Sequence, residues 1–247
     1  MNIDRITPTM RPDARVVQHQ SWLDLLFLHW RVPVSMLRPL IPSELEIDTF
    51  EGDAFVGLVP FTMRGVRPVW SPSVPGVSNF HETNVRTYVH FEGRDPGVWF
   101  FSLDAANRLA VWIARTFWHL PYHHAEMSLE KLSDGSVRYS TERLSPPPVP
   151  ARCHVTYRPQ GGPQASKPGT LEHFLAERYV LYADVGGGDL RLGRVYHTPY
   201  PLERATVIQY DESLLAASGI ARPAGDPLSH FAAGVDVEVF GLEKLRR

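Results

Sequence analysis

Lysine is nearly missing from this chain. Of 247 residues only Lys131, Lys167 and Lys244 carry a side-chain amine, and the other 22 of the 25 basic residues are arginine. A GC-rich genome favouring Arg and Pro codons accounts for that balance, yet the scarcity removes one kind of catalysis, the attack of a side-chain amine on a carbonyl. Cysteine is scarcer still. Cys153 stands alone, so no internal disulfide can form, and with no evident base or helix N-terminus beside it the thiol reads as an inert buried group. No uncharged apolar run approaches the ~18 residues needed to span a bilayer. The first twenty residues contain Asp4, Arg5, Arg11, Asp13 and Arg15 and no apolar stretch of a signal peptide. A clear basic excess is absent too: 27 acidic residues stand against 25 basic ones, with a formal net charge of -2, which argues against a nucleic-acid partner. Gly186-Gly187-Gly188 is followed by no Lys-Ser/Thr pair, Gly-x-Gly-x-x-Gly is not completed, and no Gly-x-Ser-x-Gly elbow occurs. These absences lead to the expectation of a soluble cytoplasmic protein with no cofactor, no metal, no nucleic-acid partner and no membrane partner.

What is there is a globular composition, 43% hydrophobic and 21% charged, with 22 prolines spread along the chain. Scattered proline disfavours long helices and favours short strands joined by turns. Strand-like runs are frequent: Leu25 to Val32, Ala54 to Met63 with Pro60 marking an edge or a bulge, Glu82 to Phe91, Gly97 to Leu103, Ala125 to Leu129, Val137 to Arg143, Ala151 to Tyr157, and Val235 to Phe240. Arg178 to Val185 and Asp189 to Tyr196 flank the glycine triplet as a hairpin. The spacing predicts one longer helix, capped by Asp104 over Ala105 to Phe117, with Leu109, Trp112, Ile113 and Phe117 as its apolar stripe and Pro121 as its stop. Short helices are expected at Val34–Leu40, at Leu171–Glu177 after Thr170, and at Glu212–Ala217 after Asp211. The Pro-rich run 145–150 and the loose stretch 158–169 read as loops inside one domain, residues 1–247, whose first nineteen residues form a less regular arm. Many strands and few helices indicate a mainly β, α+β fold: a curved antiparallel β-cone or barrel with a central cavity and a few peripheral helices.

Three segments could carry chemistry. In Asn79 to His90, strand alternation places Glu82, Asn84, Arg86, Tyr88 and His90 on one face and Thr83, Val85, Thr87 and Val89 on the other. That polar face is either a solvated surface, with Glu82 and Arg86 as a weak ion pair, or the lining of a wet cavity. In Ala114 to Met127 the same alternation sets Tyr122 and His124 against His123, so the neighbouring histidines cannot both enter one site and a zinc pair is disfavoured. His197, ahead of a Pro-flanked aromatic turn, is either a site residue or a histidine bonded to backbone.

The stretches FLHWRVPVSMLRPLIPSELEID, ETNVRTYV, FFSLDAANRLAVWIARTFWHLPYHHAEM and FLAERYVLYADVGGGDLRLGRVYHTPYPLERA resemble the uncharacterised bacterial YqjF-like family from about residue 20 to residue 240. That family is similar in turn to the acetoacetate decarboxylase-like superfamily, a resemblance that implies a curved antiparallel β-cone around a cavity, often assembled into oligomers. It places Arg31 where those decarboxylases have an arginine ahead of their first short helix, and Glu82 as the counterpart of their pocket glutamate. Their Schiff-base lysine is one of two consecutive lysines after an aromatic-x-Pro run. Tyr122 and His123 stand there in this chain, and the nearest lysine is Lys131. Tyrosine and histidine form no imine, so imine-dependent decarboxylase and aldolase chemistry is not expected.

The candidate catalytic groups are therefore Glu82, Tyr122 and His123, and the candidate substrate-binding arginines are Arg31, Arg86 and Arg115, with a helix-end ion pair as the default role of Arg115. The expected function is a non-Schiff-base lyase, hydratase or isomerase acting on a small carbonyl or carboxylate compound. The alternative is a non-catalytic small-molecule binding protein that uses the same cavity. A homo-oligomer is the expected assembly.

Overall fold

The computed structural model describes residues 3–245, so the outermost residues of the expected 1–247 domain and the first two of its arm lie outside the described residues. Thirteen strands form one continuous sheet. In chain order they are β1 (Val16–Val32), β2 (Glu46–Ile47), β3 (Ala54–Pro68), β4 (Phe80–Phe91), β5 (Arg94–Ala105), β6 (Tyr122–Lys131) and β7 (Val137–Ser145). Then follow β8 (Arg152–Pro159), β9 (Val180–Asp184), β10 (Leu190–His197), β11 (Leu202–Glu212), β12 (Leu228–Phe240) and β13 (Glu243–Lys244). The helices are short: α1 (Val34–Leu37), α2 (Arg108–Ile113), α3 (Leu171–Ala176) and α4 (Leu214–Ala217). β1 starts inside the expected N-terminal arm, and among the described residues one helical turn, Thr7–Thr9, precedes it.

The sheet closes on itself twice. β5 pairs with β4, β6 and β9, while β12 pairs with β1, β10 and β11. One circuit runs β5–β6–β7–β8–β11–β12 and the other β5–β9–β10–β12, and both return through β1, β3 and β4. The shared strand β4 is consequently buried on both faces. On β4 the odd residues Val85 and Val89 pack with Leu26, Leu28, Val56, Leu58 and Val155 in one core. On the other side, Phe80 joins Leu25, Phe27, Phe61 and Met63 in a second apolar cluster.

Bulges set which side chains point where. Between Leu23 and Leu28, β1 spends one more residue than its partner β3, and Asp24 takes a φ of 52°. One extra residue flips the alternation, so Trp22 before the bulge and Leu25 and Phe27 after it share a face. Pro60 lies opposite this irregularity: the bulge reading holds, whereas β3 is an interior strand and not an edge. At Gly97 a Cβ would meet the Val180 carbonyl oxygen at 2.6 Å, so glycine is what lets β9 close against β5.

The helix after β5 corrects the sequence reading in two ways. Asp104 and Ala105 belong to β5, and the cap is Asn107, whose side chain accepts from the Leu109 and Ala110 amides and donates to the Gly76 and Val77 carbonyls. After Ile113 the chain widens into a π-helical turn, Ala114–Trp118, which ends at His119 with φ 52°. The expected apolar stripe faces solvent, with Trp112 58% and Phe117 62% exposed, because the small side chains Ala110 and Ala114 are the ones packed inward. α3 is capped by Thr170 as expected, whereas α4 is shorter than expected and its Leu215 amide is held by the Glu212 carboxylate.

Asp104 instead forms a fully buried bidentate pair with Arg143 of β7, Nε donating at 2.6 Å and Nη2 at 2.7 Å. The pair bridges across β6, where β5 and β6 run parallel with Leu103 opposite Tyr122. Removing one partner strands the other charge in the core. Arg143→Ala or Asp104→Ala is expected to cost about 3–5 kcal/mol in urea unfolding. The double replacement Asp104→Leu/Arg143→Met is expected to recover most of that loss; a double loss equal to the sum of the two single losses would show that the side chains act independently.

Candidate functional site

A pocket of about 310 Å³ is walled by β1, β3, β4, β5, β9, β10, β12 and the inner side of α2. Its outer end lies among half-buried or exposed residues: Arg67, Pro68, Ser71, Val74 and Ile113. Its inner end is closed by Glu82, Asn84 and Arg86 of β4 together with Tyr122, Arg178 and Tyr200, all at most 8% exposed. Glu82, Asn84 and Arg86 of the polar face of β4 are thus turned into the pocket rather than to solvent, whereas Tyr88 packs with Phe55 and Phe174.

Glu82 is held from both sides of its strand. Behind it, in the core, the Tyr139 hydroxyl lies 2.9 Å from the Glu82 carbonyl and 2.8 Å from that of Phe61, and Thr83 and Thr141 share a 2.8 Å hydroxyl contact. In front, Tyr122 donates its phenol proton to Glu82 Oε2 at 2.7 Å. Burial pushes the Glu82 carboxyl up to about 8, against the opposing pull of hydrogen bonds from Tyr122 and Asn84, with the Asp104 charge adding to the rise. Tyr122 is raised well above the ordinary phenol value, first by burial and then by Glu82. At neutral pH the pair therefore presents a neutral carboxylic acid beside a neutral phenol.

The charge at the inner end is positive. Arg178 lies over the Tyr88 and Phe174 rings at 4.7 and 4.3 Å and donates to Asp48 at 2.8 Å, and Arg5 shares that carboxylate. Arg86 has no carboxylate partner among the described residues. Its Nη2 reaches only the Leu175 carbonyl, at 3.4 Å, and it does not pair with Glu82. Arg86 Nε, Arg178 Nη2 and Asn84 Oδ1 are buried with no hydrogen-bond partner. Three unsatisfied polar atoms around one pocket end are a standing demand for a polar ligand or ordered water.

The remaining candidates are dispersed. Arg31 is corrected: it lies at the exposed end of β1, paired with Asp53, and Phe55, Tyr88 and Phe174 pack together at that end of the strand. His123 is corrected as well. It follows Tyr122 on the strand and so points the opposite way, with Nδ1 2.9 Å from the Pro146 carbonyl and Arg143 close enough to lower its pKa, behind burial. Arg115 is exposed on the π-helical turn and donates to the Tyr122 backbone carbonyl at 2.6 Å, which steadies the phenol's strand without lining the pocket. His197 follows the backbone-bonded alternative: Nδ1 meets the Thr198 carbonyl at 2.7 Å, and the ring lies between Tyr179 and Tyr200 with its pKa lowered to about 4 by burial. Arg178 and Tyr200 were missed as site residues. Neither carries a local signal, since each enters the pocket only through the pairing of β9 and β10 with the shared strands.

None of the three lysines lines the pocket; Lys131 pairs with Asp24 on the surface at 2.8 Å. Among the described residues no group of three or more His, Cys, Asp or Glu is arranged to hold a metal ion, and no helix is long and apolar enough to cross a membrane.

Solved structures with this arrangement of strands are acetoacetate decarboxylase-like. An acetoacetate decarboxylase-like enzyme from Sphingomonas wittichii RW1 superposes with a TM-score of 0.62 at 11% identity, over 94% of each chain. Acetoacetate decarboxylase from Legionella pneumophila gives 0.61 at 12% identity, over 94% of this chain and 88% of that one. The enduracididine biosynthesis enzyme MppR, complexed with pyruvate, gives 0.60 at 14% identity, over 96% and 92%. At such identities the likeness is one of fold. In sequence, the chain is 41% identical over 233 residues to the uncharacterized protein YqjF of Bacillus subtilis (strain 168), covering 94% of both. Residues 19–236 match the profile of DUF2071, described as an uncharacterized conserved protein, and the chain belongs to that family.

Proposed function

We propose that the pocket binds a small compound bearing a carboxylate and a carbonyl group, and acts on it as a lyase, hydratase or isomerase without forming an imine. The observation that carries this reading is the pairing of a neutral Glu82–Tyr122 donor couple with an Arg86 guanidinium that has no counter-ion. A buried cation without a partner is costly, and a ligand carboxylate is the group that two parallel N–H donors fit best. With the carboxylate held by Arg86, the carbonyl oxygen lies toward Glu82 and Tyr122. The Glu82 proton, with the carboxyl oriented by the Tyr122 phenol, stabilises the negative charge that grows on that oxygen when a neighbouring carbon loses CO₂, or gives its proton to water. MppR, of the same fold, holds pyruvate, a compound of this class.

The largely apolar wall of Phe61, Met63, Phe80, Phe100 and Trp118 favours a second reading, a protein that binds such a compound without changing it. Turnover separates the two. A 2-oxo acid incubated with the protein and followed by NMR is expected to exchange its C3 protons, and a 3-oxo acid to lose CO₂; no change in either leaves the binding reading.

In the enzymatic case Glu82→Gln is expected to lower turnover by roughly 10²–10⁴, the usual worth of a positioned acid. Arg86→Ala is expected to weaken carboxylate binding by roughly 10–100-fold, the worth of a hydrogen bond to a charged group, with Arg86→Lys in between. Borohydride added with a two-oxo acid is expected to trap no adduct; a trapped one would overturn the mechanism.

The sign of the pH dependence follows from Glu82. Its folded pKa, about 8, lies above the ordinary 4.5, so the folded state favours the protonated form. The stability this contributes is complete below 4.5 and is lost as pH rises toward 8. Wild-type unfolding free energy is expected to fall across that window by a few kcal/mol more than that of Glu82→Gln, on the order set by the shift. Parallel stability curves for the two proteins would show that Glu82 is not buried neutral.

A further inference from the structure

We infer that the ligand is a carboxylic acid with an apolar tail of medium length, aryl-alkyl or unbranched, bound head first, and not a three-carbon oxo acid. This rests on the reading of Arg86 as the carboxylate anchor. Three observations lead to it. An apolar belt separates two polar ends: Glu82, Asn84, Arg86, Tyr122 and Arg178 are buried at the inner end, Phe61, Met63, Phe80, Phe100, Leu181 and Trp118 form the walls, and Gln18, Gln20, Arg67 and Ser71 belong to the half-buried rim. Of the pocket's buried polar atoms without a partner, Asn84 Oδ1, Arg86 Nε and Arg178 Nη2 lie at the inner end, and Trp22 Nε1 is a fourth on the wall.

Volume is the third observation. The 310 Å³ falls at the lower end of the roughly 300–1,000 Å³ of pockets that hold drug-sized ligands. A three-carbon oxo acid anchored at Arg86 would leave much of that space open between aromatic and aliphatic walls, where water finds few partners. An apolar tail fills the same space and removes the wall from water. Ala110 and Ala114 on the inner side of α2 set the clearance for that tail, because a larger side chain at either position would enter the passage from the outer end.

The test is calorimetric titration of the full-length protein with acetate, butyrate, hexanoate, octanoate, pyruvate and 3-phenylpyruvate. Affinity is expected to rise about fourfold for each added methylene up to the length of the pocket. 3-Phenylpyruvate is expected to bind at least tenfold tighter than pyruvate. Ala114→Phe is expected to weaken 3-phenylpyruvate binding far more than pyruvate binding, and Ala110→Leu repeats the test one turn away should the first variant fold poorly. Equal affinity along the series, still lost in Arg86→Ala, would overturn the tail and leave the anchor standing. Binding insensitive to Arg86→Ala, or no binding of any of these acids, would overturn both.

Discussion

The buried pair between Asp104 and Arg143 is the constraint on which the site depends. It ties β5 to β7 across β6 at the point where the sheet switches from antiparallel to parallel pairing. That junction sets Leu103 opposite Tyr122, and the neighbouring β4–β5 register sets Ala105 opposite Glu82. A slip of one residue would send the Tyr122 phenol to the core side and His123 to the pocket. The 2.7 Å contact between Tyr122 and Glu82 is therefore a product of strand register, steadied by Arg115 on the Tyr122 carbonyl and by Tyr139 behind Glu82.

The same pair reaches into the electrostatics. Burial does most to hold the Glu82 carboxyl neutral, and the Asp104 charge works in the same direction. A neutral Glu82 leaves Arg86 without a counter-charge, although the two side chains share one strand face. The inner end thus combines proton donors with an unmatched cation, an arrangement that suits an anionic ligand whose reacting atom is an oxygen.

Much of the fold was legible in the sequence, because period-two patterning and turn residues survive in a chain rich in proline. The hairpin at Gly186-Gly187-Gly188 and the Thr170 cap are local features, and both were read correctly. The apolar face of α2 was misread because its spacing says only that one side of the helix is greasy, not which side meets the sheet. Arg31 was misplaced for a related reason: a motif position gives the strand, but the end of that strand lies beyond Phe55, Tyr88 and Phe174. Glu82, Asn84 and Arg86 could be grouped from alternation alone, yet whether their face was wet or enclosed depended on a second circuit of strands distant in sequence, as Arg86 Nη2 against Leu175, 89 residues on, illustrates. Arg178 had no local signature at all, and only its pairing with Asp48 and its orphaned Nη2 identify it.

β4 belongs to both circuits, so its odd positions hold up a solid interior while its even positions line a pocket. Such a strand offers evolution no neutral ground. A change at Val85 or Thr87 disturbs packing, one at Glu82 or Arg86 disturbs the polar lining of the pocket, and an insertion exchanges the two roles along the rest of the strand. Divergence of ligand preference in relatives with this layout has a freer path through the surrounding elements, the loop after β3 and the inner side of α2, which touch the pocket from one side only.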